Sequence, residues 1–374
     1  MEIDEPITSF EPPHCETNFT FEQAEEYMYT TPNRMFVTIG VPIVLVIGLA
    51  GNFGFLIVLY RIKPMRNITN FYLANVAIAD SCLLIMSALQ YFWTYAHSPL
   101  DVNFVFATSL GCAVPNFLVY LCYFASVWLV TLVATERYLA ICHPLQHHMI
   151  TGTRRSLRLV TIAWGFALIM TGFAAPYGNP EIVCIDWPEE KPYIDFPTEV
   201  PVCRGICDWC DMALYAIDPA QFIFAFVLNS CMYGRIVAIL SRRTVTTSQN
   251  ESPSAANRIV NDNRDQVARM LIVNTLVFFV CLMPYCITNL NSLSKEINGH
   301  GFLNLREKQV LSWISKLTTL WNSAANPYLY SVTNKRYRQA FQRAFSCSNH
   351  DHHPKGSSYA YTAYTKASVG DTKV

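Results

Sequence analysis

The chain has 374 residues, of which 52% are apolar and 14% are charged, and its formal net charge is +0. Soluble globular proteins carry about 25% charged residues, so this shortfall indicates long stretches that never meet water. The neutral charge balance also argues against a nucleic-acid-binding protein, which usually has a strong basic excess. Residues 1–34 are acidic and lack the apolar core of a cleavable signal peptide, so we expect the first membrane helix to carry them across.

Seven segments are apolar enough to cross a bilayer, which requires about 20 mostly apolar residues. They lie at roughly 35–60, 70–95, 109–140, 158–176, 212–240, 266–290 and 309–331. The second contains Asp80 and the seventh Lys316, yet both keep the necessary length, whereas Asp218-Pro219 interrupts the outer end of the fifth. The pattern predicts an all-α membrane protein, a seven-transmembrane helix bundle whose loops lie outside the hydrocarbon.

The distribution of charge predicts the orientation of this bundle, because Lys and Arg concentrate on the cytoplasmic side of a membrane. The stretches 61–68, 137–158, 235–269 and 333–347 contain 3, 4, 6 and 4 of the chain's 27 Lys and Arg residues. We therefore expect a multi-pass plasma-membrane protein with an extracellular N-terminus and a cytoplasmic C-terminus. Asn18 is then a candidate glycosylation site, and the polar stretch 244–263 is predicted to be flexible.

Several polar residues fall at mid-depth of the predicted helices, where each needs a compensating interaction. They are Asn52, Asp80, Ser126, Asn322, Ser323 and Asn326. One carboxylate among several neutral oxygens suits a small cation such as Na⁺. A hydrogen-bond network that locks the helices together explains the same residues, and the two interpretations are compatible.

Glu136-Arg137-Tyr138 ends the third segment at its cytoplasmic rim. Glu136 is placed to hold Arg137 until a partner protein arrives, and the alternative is an arginine that simply extends to water. Prolines lie inside the sixth helix at Pro284 and inside the seventh at Pro327, where each removes a backbone hydrogen bond. Bent helices can pivot, as a conformational switch requires.

Taken in chain order, these residues resemble the rhodopsin-like (class A) G-protein-coupled receptors over residues 35–347. The matching positions are Gly51-Asn52, Asn75 to Asp80, Cys112, Glu136-Arg137-Tyr138 with Ile141 to Leu145, Trp164, Tyr233, Phe278, Cys281, Pro284, and Asn326-Pro327 with Tyr330. The resemblance implies a receptor rather than an enzyme, one that couples an extracellular ligand to a heterotrimeric G protein. A membrane transporter is the less favoured alternative, because it would need paired ionisable residues along a path.

The resemblance also implies roles for individual residues. Arg137 and Leu145 would contact the G protein, and Tyr233 with Tyr330 would hold the open state. The conformational switch would further include Glu136, Tyr138, Pro284, Asn326 and Pro327, and the sodium pocket would consist of Asp80, Ser126, Asn322 and Ser323. Cys112 would form a disulfide with Cys184 in the second extracellular loop.

Three positions depart from the family pattern. Leu282 stands where the family usually has tryptophan, which alters the switch in the sixth helix. Arg264 stands where many members have an acid that pairs with Arg137, so high basal activity is a hypothesis. Pro219 lies 14 residues before Tyr233 rather than the usual eight, so the family does not assign the pocket positions of the fifth helix.

Two ligand classes lack their anchoring residue in this sequence. Val119 occupies the position of the aspartate of amine receptors, and Leu320 that of the retinal lysine of opsins. An acidic outer face would attract a basic peptide, or would merely aid solubility and orientation. The stretch 181–188 resembles the loop of neuropeptide FF, RFamide and neuropeptide Y receptors, and 135–145 is similar to thyrotropin-releasing-hormone and neuromedin U receptors. A basic or amidated neuropeptide is the expected ligand, with a non-peptide small molecule as the alternative.

Helical spacing towards the bundle interior predicts a ligand pocket that is aromatic with a few polar groups. Its expected lining is Gln90, Trp93, Val119, Tyr120, Tyr123, Tyr285, Asn289, Lys316 and Thr319. Lys316 is open to three interpretations: contact with a ligand carboxylate, pairing with an internal acid, or extension outward to water.

Six cysteines are predicted to be extracellular: Cys15, Cys112, Cys184, Cys203, Cys207 and Cys210. An oxidising exterior and an even number allow three disulfides, and the sequence leaves the pairing of Cys15, Cys203, Cys207 and Cys210 open. The spacing of Cys203, Cys207 and Cys210 is also compatible with zinc, which is less favoured outside the cell.

Residues 333–347 predict a basic amphipathic helix on the inner leaflet, because Tyr337, Phe341 and Phe345 recur every four residues. Cys347 is a candidate for palmitoylation or simply a free cysteine. We expect the tail 348–374 to be disordered, to be phosphorylated by receptor kinases and to bind arrestin. Its last four residues fit the strand addition used by PDZ domains, although short tail matches also arise by chance. The remaining parts of the chain are an acidic tail at 1–34 and a receptor domain at 35–332. We expect no cofactor other than an allosteric Na⁺.

Overall fold

The computed structural model describes residues 28–98, 100, 108–174, 177–184, 187, 196–207, 209–247 and 255–346. The long helices and the amphipathic helix are α1 Thr31–Arg61, α2 Ile68–His97, α3 Ser109–Cys142, α4 Thr153–Ala174, α5 Cys210–Thr247, α6 Ala255–Asn298, α7 Leu305–Thr333 and α8 Lys335–Phe345. Two short helical segments, Lys63–Met65 and Pro144–Ile150, lie in the loops between α1 and α2 and between α3 and α4. Asn18, Cys15, Cys347 and the tail 348–374 lie outside the described residues.

Six of these helices, α1 to α6, are long and apolar enough to cross a membrane, as judged over the described part of the chain. α7 is more polar because charged residues fill its first turn and Lys316, Asn322 and Asn326 follow. It nevertheless packs against α6, α1 and α2, and its 29 residues extend about 44 Å. The seven-helix bundle predicted from the sequence is therefore confirmed, with α7 as its polar member.

The helices begin at local capping signals. The side chains of Asn67 and Thr108 each accept a hydrogen bond from the backbone N–H three residues later, at 3.1 and 3.0 Å, where α2 and α3 begin. Asn304 and Glu307 form a reciprocal capping box at the start of α7. These polar caps satisfy backbone donors that a helix end would otherwise leave unpaired.

α5 and α6 are longer than the sequence predicted. α5 continues past Pro219 to Thr247, and α6 begins at Ala255. Residues 244–247 and 255–263 are therefore helical, and the prediction that all of 244–263 is flexible is wrong at both ends. A helix that is already formed extends at little cost, so polar composition alone does not stop it.

The core of the bundle consists of large apolar and aromatic side chains. Among the largest that are fully buried are Phe55, Tyr72, Phe124, Phe278 and Tyr330. On the opposite faces, Val46, Ile162 and Val280 are 67%, 65% and 65% exposed. Such outward apolar residues suit contact with lipid, which is as apolar as the side chains themselves.

The loop between α4 and α5 forms an antiparallel hairpin that the sequence did not predict. Its strands are β1 Tyr177–Cys184 and β2 Glu199–Gly205. β1 packs against α3, so the hairpin lies over the outer end of that helix. A disulfide then fastens β2 to α3, joining Cys203 to Cys112 with the two Cα atoms 5.5 Å apart.

The predicted pairing of Cys112 with Cys184 is therefore wrong. In the hairpin register Cys203 lies opposite Pro180, whereas Cys184 ends β1 opposite Glu199. The two positions on β1 are four residues apart, or about 13 Å along an extended strand, so one of them lies beyond the reach of Cys112. Cys184 is itself disulfide-bonded, but to none of the described cysteines.

Cys207 and Cys210 form a second disulfide at the start of α5. Together with the bond of Cys203, this pairing leaves the three sulfurs of the Cys-x-x-x-Cys-x-x-Cys run oxidised. A disulfide sulfur is not the thiolate that zinc requires, so the zinc interpretation of this run is wrong.

α8 lies along the inner ends of α1 and α2, as the amphipathic pattern predicted. Tyr337 is buried and donates a hydrogen bond to Asn70 of α2. Arg61 donates to the carbonyl of Ala344 at 2.7 Å, and Arg336 donates to the carbonyl of Pro64 at 2.8 Å. Burial raises the pKa of Tyr337 to about 12, so its hydroxyl remains a donor at physiological pH.

Candidate functional site

Four of the predicted ligand-pocket residues meet between α3 and α6. Tyr123 packs edge-on against Tyr285, with ring centroids 5.5 Å apart. Tyr120 also interacts with Tyr285. Asn289, one turn further out on α6, is 6% exposed. The aromatic residues that the sequence grouped therefore do lie together, and their role in binding a ligand stays a prediction.

Three other predicted pocket residues lie on α2, α3 and α7. Gln90 of α2 donates a hydrogen bond to the side-chain oxygen of Asn116 on α3 at 3.1 Å. Val119 on α3 and Thr319 on α7 are half-buried. These side chains line the same outer half of the bundle as the tyrosine cluster, on its α2 and α7 sides.

Lys316 and Trp93 form aromatic contacts. The Nζ atom of Lys316 lies 6.0 Å from the ring centroid of Tyr91, a cation–π arrangement between α7 and α2. Trp93 is 36% exposed and stacks on His97, one turn along its own helix, with centroids 4.0 Å apart. The ammonium of Lys316 thus has an aromatic neighbour inside the chain, a contact that none of the three interpretations from the sequence included.

Asp218 of α5 joins the tyrosine cluster and was missed by the sequence analysis. Its side chain is 0% exposed, and its Oδ2 accepts a hydrogen bond from Asn289 Nδ2 at 2.6 Å. Tyr123 lies against the same carboxyl group. The signal was present, because an ionisable residue within a membrane helix is itself a candidate site. The adjoining Pro219 led us to interpret the pair as an interruption of the helix instead.

A second buried acid, Asp80, lies at mid-depth between α2, α3 and α7. Ser126 donates to its Oδ1 at 3.2 Å, and Asn326 donates to its Oδ2 at 2.7 Å. Asn52 of α1 donates to the backbone carbonyl of Ser323 at 2.9 Å. The network of helix-locking hydrogen bonds predicted from these residues is therefore present.

The same residues also offer oxygen ligands to a small cation. Asp80, Ser126, Asn322 and Ser323 are each less than 5% exposed. The side-chain oxygen of Asn52 is buried and has no hydrogen-bond partner among the described residues. A carboxylate with neutral oxygens around it is a donor set that fits Na⁺.

At the end of the bundle opposite the hairpin, both carboxylate oxygens of Glu136 contact residues outside α3. His147 Nε2 lies 2.7 Å from Oε1, and Arg155 of α4 lies 3.2 Å from Oε2. The Glu136 side chain is only 3% exposed. The carboxylate thus fastens the second cytoplasmic loop and α4 to α3, whereas the sequence suggested that it holds Arg137.

Arg137 lies near one of the predicted switch tyrosines, Tyr233, and near Tyr337 of α8. Its charge acts on Tyr233 of α5 and on Tyr337 of α8. The Tyr233 hydroxyl accepts a hydrogen bond from Thr275 of α6 at 3.2 Å. Tyr330 is 1% exposed, and its ring lies 5.9 Å from that of Tyr337. The predicted switch residues of α3, α5 and α7 therefore gather around the inner end of the bundle.

Leu145, predicted to contact the G protein, and Tyr138, predicted to belong to the switch, are more exposed. Leu145, in the short helix after α3, is 83% exposed. Tyr138 is half-buried, and its hydroxyl lies 3.3 Å from His143 Nε2. An apolar side chain so fully exposed in a loop is available to a partner protein.

The altered sixth helix keeps its proline, Pro284, and a buried side chain at the altered position. Leu282 is 1% exposed, in the place where the sequence analysis noted a missing tryptophan. Pro284 and Pro327 lie inside α6 and α7, and Asn326 is buried. Arg264 falls within α6, but its side chain lies outside the described residues, so the suggested loss of an acid–Arg137 clasp stays a hypothesis.

Comparison with curated proteins finds several peptide-hormone receptors. The neuromedin U receptor homolog nmur-2 of Caenorhabditis elegans is 26% identical over 353 residues, covering 88% of this chain and 86% of that protein. The thyrotropin-releasing hormone receptor of Gallus gallus is 25% identical over 331 residues, covering 80% and 76%. The galanin receptor type 2 of Mus musculus is 25% identical over 317 residues, covering 83% and 76%.

The family comparison covers most of the membrane bundle. The sequence model described as 7 transmembrane receptor (rhodopsin family) matches residues 51–330, from the middle of α1 to the inner end of α7. This span includes the buried polar network around Asp80 and the cytoplasmic residues around Arg137. Members of the family are receptors rather than enzymes. The chain belongs to the rhodopsin family of seven-transmembrane receptors.

Proposed function

We propose that this receptor is activated by an extracellular peptide and passes the signal to a heterotrimeric G protein. The observation that carries the proposal is the pairing of two sites at opposite ends of one bundle. An aromatic and polar cluster around Tyr123 and Asn289 occupies the outer half, and Arg137 with Tyr233 occupies the inner end. The similar proteins named as receptors for neuromedin U, thyrotropin-releasing hormone and galanin support a peptide as the ligand.

The proposal includes an orientation with the N-terminus outside the cell. Acidic residues dominate 1–34 and 177–211, and basic residues dominate the opposite loops. The hairpin and its disulfides belong on the oxidising side of the membrane, which is consistent with this orientation. Antibody labelling of an N-terminal epitope tag on intact cells, with a C-terminal tag reached only after permeabilisation, tests it.

α5 and α6 provide the physical link between the two ends. They are tied at the outer level by Asn289 and Asp218, and at the inner level by Thr275 and Tyr233. Along either helix these levels lie about 21–23 Å apart. A ligand that prefers one arrangement of the Asn289–Asp218 contact shifts the equilibrium between conformations of α5 and α6. The G protein, which binds at the opposite end, then meets a different population of those conformations.

Stimulated nucleotide exchange is the direct test of this function. The receptor is purified in nanodiscs with a G protein, and GTP exchange is measured across a neuropeptide library. Arg137→Ala should abolish stimulated exchange while surface expression is retained, and Arg158→Ala, which removes an equal charge from an exposed position on α4, should not. Transport of a solute without any G-protein response would overturn the proposal.

Several accessory features belong to the same proposal. Asp80, Ser126, Asn322 and Ser323 would hold an allosteric Na⁺, supported by their buried oxygens. Receptor kinases, arrestin and a PDZ protein would act on the tail 348–374. Asn18 would carry a glycan and Cys347 a palmitoyl group. Mass spectrometry of receptor from native membranes tests both modifications.

A further inference from the structure

Asp218 is a buried carboxylate whose hydrogen bonding is incomplete. Its Oδ2 accepts one bond, from Asn289, while its Oδ1 has no partner among the described residues. The same is true of both polar side-chain atoms of Gln221 and of the Tyr123 hydroxyl. Gln221 follows Asp218 by three residues and shares its helix face, and Tyr123 lies against the carboxyl group. Four buried polar atoms without partners therefore lie in one place.

Asp80, another carboxylate buried in the membrane-spanning part of the described residues, serves as an internal comparison. Asp80 is equally buried at 0% exposure, yet each of its oxygens accepts a hydrogen bond, from Ser126 and from Asn326. Asp218 forms no ion pair with any described residue. A buried charge without a partner is strongly unfavourable, so its presence calls for a partner that arrives from outside the chain. Asp80 therefore links helices through both of its oxygens, whereas Asp218 retains an oxygen that a ligand could bind.

We propose that Asp218, Gln221 and Tyr123 form an anionic subsite that binds a positively charged group of the activating peptide, either an ammonium or a guanidinium. The subsite deepens the peptide-receptor function proposed above and rests on it. An ammonium brings three N–H donors and a guanidinium five. The acceptors without partners are Asp218 Oδ1, Gln221 Oε1 and the Tyr123 oxygen, which match such a donor set. The adjoining ring of Tyr285 adds a surface for a cation–π contact.

The position of Asp218 suits a ligand that enters from outside the cell. It lies eight residues along α5 from Cys210, or about 12 Å below the outer end of the helix. Because its carboxyl group is sealed in this structure, the outer ends of α5 and α6 must part to admit the cation. The cation then competes with Asn289 for Asp218, so binding changes the outer tie between α5 and α6.

A pair of small probes that match in shape but differ in charge tests the subsite without knowledge of the natural peptide. The purified receptor is held in nanodiscs with about 10 mM N-acetyl-Phe-Arg-amide, or with the citrulline peptide, which has nearly the same shape but no charge. At a Kd of about 1 mM this concentration should raise the Tm by roughly 2–6 °C for the charged probe, and clearly less for citrulline. The lysine peptide shows whether an ammonium serves as well as a guanidinium.

Two variants assign the effect to Asp218. Asp218→Asn keeps the shape and should abolish the difference between the arginine and citrulline peptides, while its ligand-free Tm equals or exceeds that of the wild type. Asp211→Asn removes the same charge two turns further out on α5 and should keep the difference. A wild-type Tm that responds equally to both peptides or to neither overturns the subsite, as does an Asp218→Asn variant that still distinguishes them. GTP exchange driven by library peptides is measured separately. If the receptor signals without preferring a charged peptide, the subsite is refuted and the proposed function stands.

Discussion

Replacing Cys203 with serine tests the bond between the hairpin β1–β2 and the bundle. The structure joins this residue to Cys112 across a sequence separation of 91. The variant opens that loop and releases β2 from the outer end of α3. Cys112→Ser opens the same bond from the other side, so the two single variants should lose the same stability.

The size of the loss follows from the length of the loop. For a closed loop of this length, the chain-entropy treatment of disulfides gives about 4.6 kcal/mol. α3 and α4 restrict the intervening chain even when the bundle loosens, so we expect a smaller loss, of about 2–4 kcal/mol. At roughly 2–4 °C for each kcal/mol, the Tm should fall by about 5–15 °C.

A double-variant cycle on purified receptor separates this bond from its rival. Combining Cys112→Ser with Cys203→Ser should cost no more than either change alone, because both remove one bond. Combining Cys112→Ser with Cys184→Ser should cost the sum, because Cys184 belongs to a different disulfide. Cys231→Ser, at an exposed free cysteine of α5, is the control and should leave the Tm unchanged. Additive losses for the first pair, with non-additive losses for the second, would refute the pairing.

Three further substitutions test contacts at other levels of the bundle. Glu136→Gln should lower the free energy of unfolding by about 1–3 kcal/mol, because it weakens the bonds to His147 and Arg155; an unchanged Tm would mean that those bonds contribute nothing. Asp80→Asn should remove any inhibition of agonist affinity by Na⁺ in a radioligand titration with NaCl against choline chloride, and persisting inhibition would place the ion elsewhere. Phe55→Ala should cost about 3–5 kcal/mol in thermal unfolding, since this ring is 0% exposed and packs against Tyr330; a loss below about 1 kcal/mol would contradict that packing.

The helices could be predicted from the sequence because length and hydropathy are local properties. The apolar segments located α1 to α6, and the sequence also identified α7 despite Lys316. The stripe of Tyr337, Phe341 and Phe345 likewise identified α8. Helix ends were less certain, as α5 and α6 show, because extending a formed helix depends little on composition.

The contacts that the sequence missed all depend on which elements become neighbours. Cys203 rather than Cys184 reaches Cys112 because a hairpin sets the register, and nothing in the spacing of the cysteines reveals that hairpin. Glu136 meets Arg155 because α4 packs against α3 at its inner end. Asp218 could have been found by its charge within an apolar segment, but its bond to Asn289 required the packing of α5 on α6.

The hydrogen bonds that hold α8 in place have a consequence for the end of the bundle where α8 lies. Arg61 and Arg336 tie α8 to the first cytoplasmic loop and to α1, and Tyr337 ties it to Asn70 at the start of α2. None of these bonds involves α6, the helix with the proline near its middle. A movement of α6 would break none of these three bonds, so α8 and the first loop would stay in place. A protein that docks between α8 and α6 would then contact one fixed surface, on α8, and one mobile surface, on α6. The distance between these surfaces would depend on the position of α6.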